Sequence, residues 1–149
     1  MIFNIYTVYT GEAMQARYEI VLGDYKENGV LITTLWSREG YEKQWFESLS
    51  SLVDGLVQSC VLVTDVQPSA ISGGITYWAV FKEDDVVYFQ ERWKMNSVTT
   101  LVGDPKKAEP NIGPRIQGTT DEHSRVSEWN LPFEYLWKFI KIKSELNKN

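Results

Sequence analysis

Apolar and polar residues alternate through the first third of the chain. Ile2 to Tyr9 is rich in Ile, Tyr, Val and Thr, and Tyr18 to Leu22 and Val30 to Trp36 repeat the pattern between glycine-containing turns. Period-two alternation of β-branched and aromatic residues predicts strands. The run Lys26-Glu27-Asn28-Gly29 supplies an Asn-Gly signal for a tight hairpin loop, so an antiparallel opening sheet is expected. At Ser37 the period changes. Tyr41, Trp45, Leu49, Leu52, Val53 and Leu56 recur at three- and four-residue steps, Ser37 suits an N-cap and Gly55 lies near the expected end. Gly40 in the first turn weakens the start, which places an amphipathic helix at about 39–56.

Beyond it, Cys60 to Val66 reads as a buried strand, and Ile75 to Lys82 and Val86 to Trp93 as a hairpin around the acidic turn Glu83-Asp84-Asp85. Ile75, Tyr77, Ala79 and Phe81 share one face while Thr76, Trp78 and Val80 share the other. Both faces are apolar, which predicts a central place in a sheet. From Lys94 to Ser124, Gly103, Pro105, Pro110, Gly113, Pro114 and Gly118 interrupt every period, and a stretch of that length is usually functional or mobile. A short strand, Arg125 to Trp129, precedes a final helix at about 132–146 with the stripe Phe133, Leu136, Trp137, Ile140. The expected fold is α+β: one domain over 1–149, with a twisted, mainly antiparallel sheet of five to seven strands and two principal helices.

Composition narrows the function classes. At 149 residues, with 43% hydrophobic content, the chain has material for one core. No apolar run approaches the roughly 20 residues of a membrane helix, and the start lacks the features of a signal peptide, so a cytoplasmic protein is expected. Cys60 is the sole cysteine, which excludes an internal disulfide and a thiolate zinc cage. The net charge of −5 is uneven: Pro132 to Asn149 holds four lysines against two glutamates, +2, leaving −7 on residues 1–131. A surface of that sign repels phosphate backbones and attracts basic partners.

Candidate chemistry is sparse. His123, the sole histidine, lies in Asp121-Glu122-His123-Ser124. A dyad with Cys60 would need an accessible thiolate, whereas Cys60 sits in an apolar strand. A metal site from Asp121, Glu122 and His123 meets the difficulty that adjacent residues on an extended chain point alternately. Gly73-Gly74 is a turn without the remainder of a phosphate loop. Glu91 and Glu128 are a formal carboxylate pair, but each has a ready ion-pair partner in Arg92 or Arg125. Six tryptophans raise a single-stranded nucleic-acid-binding sheet as an alternative, although base stacking needs a cationic groove beside the aromatics. Neither a cofactor nor a metal is expected.

The order Leu35-Trp36-Ser37, Tyr41, Gln44-Trp45, Ser48-Leu49, then a strand around Cys60 to Asp65, then Trp78-Ala79-Val80-Phe81 with Val86-Val87-Tyr88-Phe89, then Ile112 and Arg115, then Arg125-Val126-Ser127-Glu128-Trp129, resembles the immunity proteins of bacterial contact-dependent growth inhibition, the CdiI family. The match runs over roughly residues 28–142, and its most specific pieces are the two tryptophans around the first helix start and the Ser-Glu-Trp before the last helix. Thr119 to Ser124 and the Gly/Pro-rich stretch before it depart from the pattern. The resemblance implies a small cytoplasmic, non-catalytic protein that binds and blocks the C-terminal toxin domain, commonly a nuclease, of a cognate surface-displayed effector. Trp36, Tyr41, Trp45, Ser127, Glu128 and Trp129 are then framework. Partner contacts are expected on exposed turns, at the acidic clusters Glu83, Asp84 and Asp85 and Asp121 and Glu122.

Overall fold

A computed structural model describes residues 2–67, 74–95, 112–116 and 127–147. In chain order these form β1 (Phe3–Val8), β2 (Gln15–Leu22), β3 (Tyr25–Ile32), α1 (Arg38–Val53), β4 (Ser59–Val66), β5 (Gly74–Glu83), β6 (Val86–Met95), β7 (Glu128–Pro132) and α2 (Phe133–Asn147). The fold is α+β, with its seven strands all antiparallel. They are hydrogen-bonded as a three-stranded sheet, β1-β2-β3, and a four-stranded sheet, β4-β5-β6-β7.

The first hairpin departs from its expected register. Leu22 pairs with Tyr25, so the turn is Gly23-Asp24, and Lys26 to Gly29 lie inside β3. Gly23 has φ +67°, a conformation glycine adopts without steric cost, and a Gly-X pair closes a two-residue loop as well as Asn-Gly does. Gly29 is glycine for a different reason: a Cβ there would lie 2.8 Å from a ring carbon of Tyr18. The third strand consequently begins at Tyr25 rather than Val30.

Helix α1 begins as its sequence predicts and stops sooner. The Ser37 hydroxyl accepts from the Gly40 N–H at 3.0 Å. At the other end Leu56 N–H donates to Ser51 C=O and Gly55 N–H to Leu52 C=O, with Gly55 at φ +76°. This reciprocal pair ends the helix at Val53 and leaves Leu56 exposed. Tyr41, Trp45, Leu49 and Leu52 are buried on one stripe. On α2 the buried positions are Leu136 and Ile140, while Trp137 is 46% exposed and leaves the predicted stripe. Phe139 takes the inward place instead, its ring edge-on to Phe3 at 5.0 Å.

Helix α1 also does the work of a strand. Gln44 Nε2 donates to Val61 C=O at 2.8 Å and Gln44 Oε1 accepts from Val63 N–H at 3.0 Å, while Trp45 Nε1 donates to Val63 C=O. These are backbone groups on the side of β4 away from β5. Tyr41 continues the seam, donating its hydroxyl hydrogen to Ile32 C=O and accepting from Val66 N–H. A register shift between Val63 and Asp65 leaves Thr64 as the extra residue. The resulting bulge aims the Asp65 carboxylate at the Ile32 N–H, 2.9 Å away, which fastens the end of β3 to β4.

The core lies between the two sheets and under both helices. Phe3 stacks on Phe89 at 5.6 Å, and Trp129 lies between Tyr25, stacked at 4.3 Å, and Trp78, edge-on at 5.5 Å. As expected, β5 is central and apolar on both faces. Trp45→Ala should cost about 3–5 kcal/mol, the range for a large buried aromatic, and would leave one acceptor of Val63 unpaired. Urea unfolding should show a lower midpoint with an unchanged slope.

Candidate partner-binding site

The β5–β6 hairpin is tight, with Glu83 paired to Val86 and Asp84-Asp85 as its loop. Asp84 holds φ +53°, a region Asp tolerates better than most residues. The tip is fastened from below: Phe133 N–H donates to Asp85 C=O at 2.8 Å, and the Lys82 ammonium lies 4.8 Å over the Phe133 ring. Glu83, Asp84 and Asp85 are all exposed, so the hairpin presents an acidic corner fastened to the start of α2.

The three carboxylates are not equivalent. Arg115 reaches Glu83 at 3.0 Å and forks onto Glu128, with Nε at 2.8 Å and Nη2 at 2.7 Å from its two oxygens. Its guanidinium lies 3.6 Å over the Tyr88 ring. Gln90, buried, donates to both Glu128 and Ile116 C=O, and Arg92 donates to Ile112 C=O and Gln90 Oε1. Residues 112–116 are thereby pinned across the face of β6 and β7. Bidentate charge-assisted hydrogen bonds of this kind favour the charged form, and Arg115 holds the Glu128 carboxyl below the usual range. Glu83 is therefore partly neutralised, and Asp84 and Asp85 carry the free negative charge of the tip.

Asp121, Glu122 and His123 lie outside the described residues, as does Arg125, so neither the second acidic cluster nor the ligand set Asp121, Glu122, His123 is placed by the structure. Cys60 is on β4 opposite Val80. Glu91 and Glu128 do not converge. Glu128 pairs with Gln90 and shares its face, whereas Glu91, one residue on, points to the opposite side. Glu128 takes Arg115 and Arg92 turns to Gln90 and Ile112, while Arg125, the expected partner of Glu128, is among the residues not described. Trp36, Trp45 and Trp78 are buried and Trp129 is sandwiched, so these rings serve as framework and offer bases no exposed platform.

The sequence named Arg115 without giving it a role and gave Gln90 no place at all. The available signal was a long polar side chain in an otherwise apolar strand, which folds stably only with partners for its amide.

Glu91 faces the inner side of β3, where Glu27 is its neighbour. Burial, with the Glu27 carboxyl hydrogen-bonded beside it, pushes Glu91 up to about 7. Tyr18 and Tyr25, the phenols that feel both carboxylates, are themselves raised, first by burial.

A model of the CdiI N-terminal domain matches residues 31–139. The chain belongs to the CdiI family. The matched stretch runs from the end of β3 into α2 and contains α1, the four-stranded sheet, the acidic tip and Arg115. No curated protein matches this CdiI family chain. Among solved structures it is similar to a chain of the CdiA-CT/CdiI toxin and immunity complex from Enterobacter cloacae, at 21% identity and a TM-score of 0.70, over 99% of this chain and 100% of that one. At that identity the likeness establishes the shared fold.

The Glu91 geometry gives a pH-dependent stability with a definite sign. A carboxyl raised on folding binds more protons folded than unfolded between pH ~4.5 and ~7, so stability falls as pH rises through that window. Glu91→Gln should therefore stabilise the protein by about 1–2 kcal/mol at pH 8, allowing for screening at a half-exposed site. The gain should vanish near pH 4.5, as read by thermal melts across the range.

Proposed function

We propose that this protein is an immunity protein that binds and neutralises the C-terminal toxin domain of a cognate contact-dependent growth inhibition effector. The observation that carries this reading is the CdiI family match over residues 31–139. The fold shared with a chain of a toxin and immunity complex agrees with it. Inhibition is stoichiometric, by occupation of a surface on the toxin.

The partner is a basic domain, a nuclease whose positive surface serves to hold phosphates. Asp84 and Asp85 are the docking point on the described surface, with Asp121 and Glu122 as the second. Exposed and held on a braced hairpin, Asp84 and Asp85 offer their charge without a large ordering cost on binding, and long-range attraction raises the association rate more than it fixes the final affinity.

Mixing the purified chain with the toxin domain encoded beside it should give a stable complex and abolish toxicity; absence of binding to that domain would overturn the immunity reading. Asp84→Lys with Asp85→Lys, and separately Asp121→Lys with Glu122→Lys, should slow association by roughly fivefold or more for at least one pair and flatten its salt dependence. Stopped-flow rates at low and high salt measure this. Unchanged rates for both double variants would remove the acidic docking sites while leaving the immunity function standing, and would direct attention to the exposed Trp93.

A further inference from the structure

The inward face of β3 is marked by three of its residues: Tyr25 stacks on Trp129, Leu31 is buried, and Gly29 lies under the Tyr18 ring. Glu27 shares that face by alternation. On β6, Phe89 stacks on Phe3 of the opposite sheet, and Glu91, two residues on, shares its face. Two carboxyls from different sheets thus meet between the sheets, where apolar core would otherwise continue, and they are hydrogen-bonded to each other. The next inward position on each strand is closed by an aromatic ring seated on a glycine, Tyr18 over Gly29 and Trp93 over Gly74.

Among the described residues no cation offsets this pair. Tyr18 faces it from β2 and Tyr25 from β3, while Asp65 of β4 lies within reach of Tyr18 and is already bonded by Ile32 N–H and Gln67. β5 and β7 contribute the neutral rings of Trp78, the cross-strand neighbour of Glu91, and Trp129. Arg17 and Lys26 are turned to the outer face of the first sheet, bound to Asn28 and Glu19. Arg92 is on the outer face of the second sheet, bound to Ile112 and Gln90, with Lys94 on the same side, and Lys82 sits at the other end of β5 over Phe133. Glu91 Oε2 is shut off from solvent and meets no donor among the described residues. A buried oxygen so placed is satisfied when it carries the proton and gives it to Glu27. With both groups ionised it faces a like charge and has nothing to bond.

We propose that Glu27 and Glu91 are a proton-operated latch between the two sheets: a shared proton holds the middle of β3 against β6, and its loss releases that contact. The place suits a local motion. β3 is fastened at one end by the stack of Tyr25 on Trp129 and at the other by Asp65 and Tyr41 on Ile32. As the edge of its sheet it is laddered to β2 alone. Residues 26–31 can therefore move while both ends hold. Burial, with the Glu27 carboxyl beside it, raises Glu91 to about 7. The latch is accordingly closed in the ordinary range of glutamate titration, opens progressively as pH rises toward that value, and changes no further above it.

Amide hydrogen exchange of the full chain, followed residue by residue by NMR, tests this without toxin and so independently of the immunity reading. After correction for the intrinsic pH dependence of exchange, protection of residues 26–31 should fall roughly tenfold or more between about pH 5 and 7 and level off above. Low urea separates the two routes of opening. Local release exposes little surface, so exchange in β3 should be nearly insensitive to urea, whereas central amides of α1, opened by global unfolding, should carry the full slope. Glu27→Gln and Glu91→Gln each keep a donor between the strands at every pH and should hold β3 protection constant to within about twofold across the range. Either variant suffices if the other does not fold. The latch is overturned by wild-type β3 protection that is independent of pH, by a fall that persists in the glutamine variants, or by β3 exchange that responds to urea as steeply as that of α1.

Discussion

A β-strand at the margin of a sheet leaves a row of backbone donors and acceptors that must bond to something, and the way β4 meets this requirement organises the molecule. Its free side is closed by side chains of a helix. The Gln44 amide, with one donor and one acceptor face, occupies the place of a peptide group in a neighbouring strand, and the Trp45 indole supplies a further donor. Buried polar backbone left unmatched would cost several kcal/mol, so this seam fixes how α1 lies against the four-stranded sheet. Tyr41 extends the seam to the end of β3, and Asp65 returns the bond from β4. The two sheets are joined through these polar links as well as through the aromatic stack of Tyr25, Trp129 and Trp78.

Arg115 provides a second polar fixture of the same logic. Residues 112–116 have no strand or helix of their own, and a segment of that kind is held only if its polar groups are met. Its position is set by one guanidinium that satisfies Glu128 and Glu83 and covers Tyr88, with Gln90 and Arg92 binding the carbonyls of Ile116 and Ile112. The arrangement draws Glu83 out of the acidic tip and stiffens the hairpin that presents Asp84 and Asp85. A docking charge on a braced loop retains more of its electrostatic attraction as binding energy than one on a loop that must first be ordered.

What the sequence determined by itself was whatever depends on neighbours a few residues away. Periodicity set the types of the elements and bounded the strands at five to seven, Ser37 and Gly55 marked α1 to within a turn, the doubly apolar pattern of β5 placed it in a sheet interior, and the tryptophan landmarks led to the family. Where local signals competed, the tertiary structure decided. Asn28-Gly29 and Gly23-Asp24 are both plausible turns, and the Tyr18 ring settled the matter by needing the space above Gly29. Trp137 and Phe139 both fit a helical stripe, and Phe3 chose Phe139. The division of seven strands into two sheets, the use of Gln44 as a substitute strand, the pairing of Arg115 with Glu128 and the raised Glu91 carboxyl all depend on contacts between residues far apart in the chain. Hydrophobic pattern records which side of an element is buried; it does not record against what, because burial is non-directional while the hydrogen bonds and ion pairs that select a partner are directional.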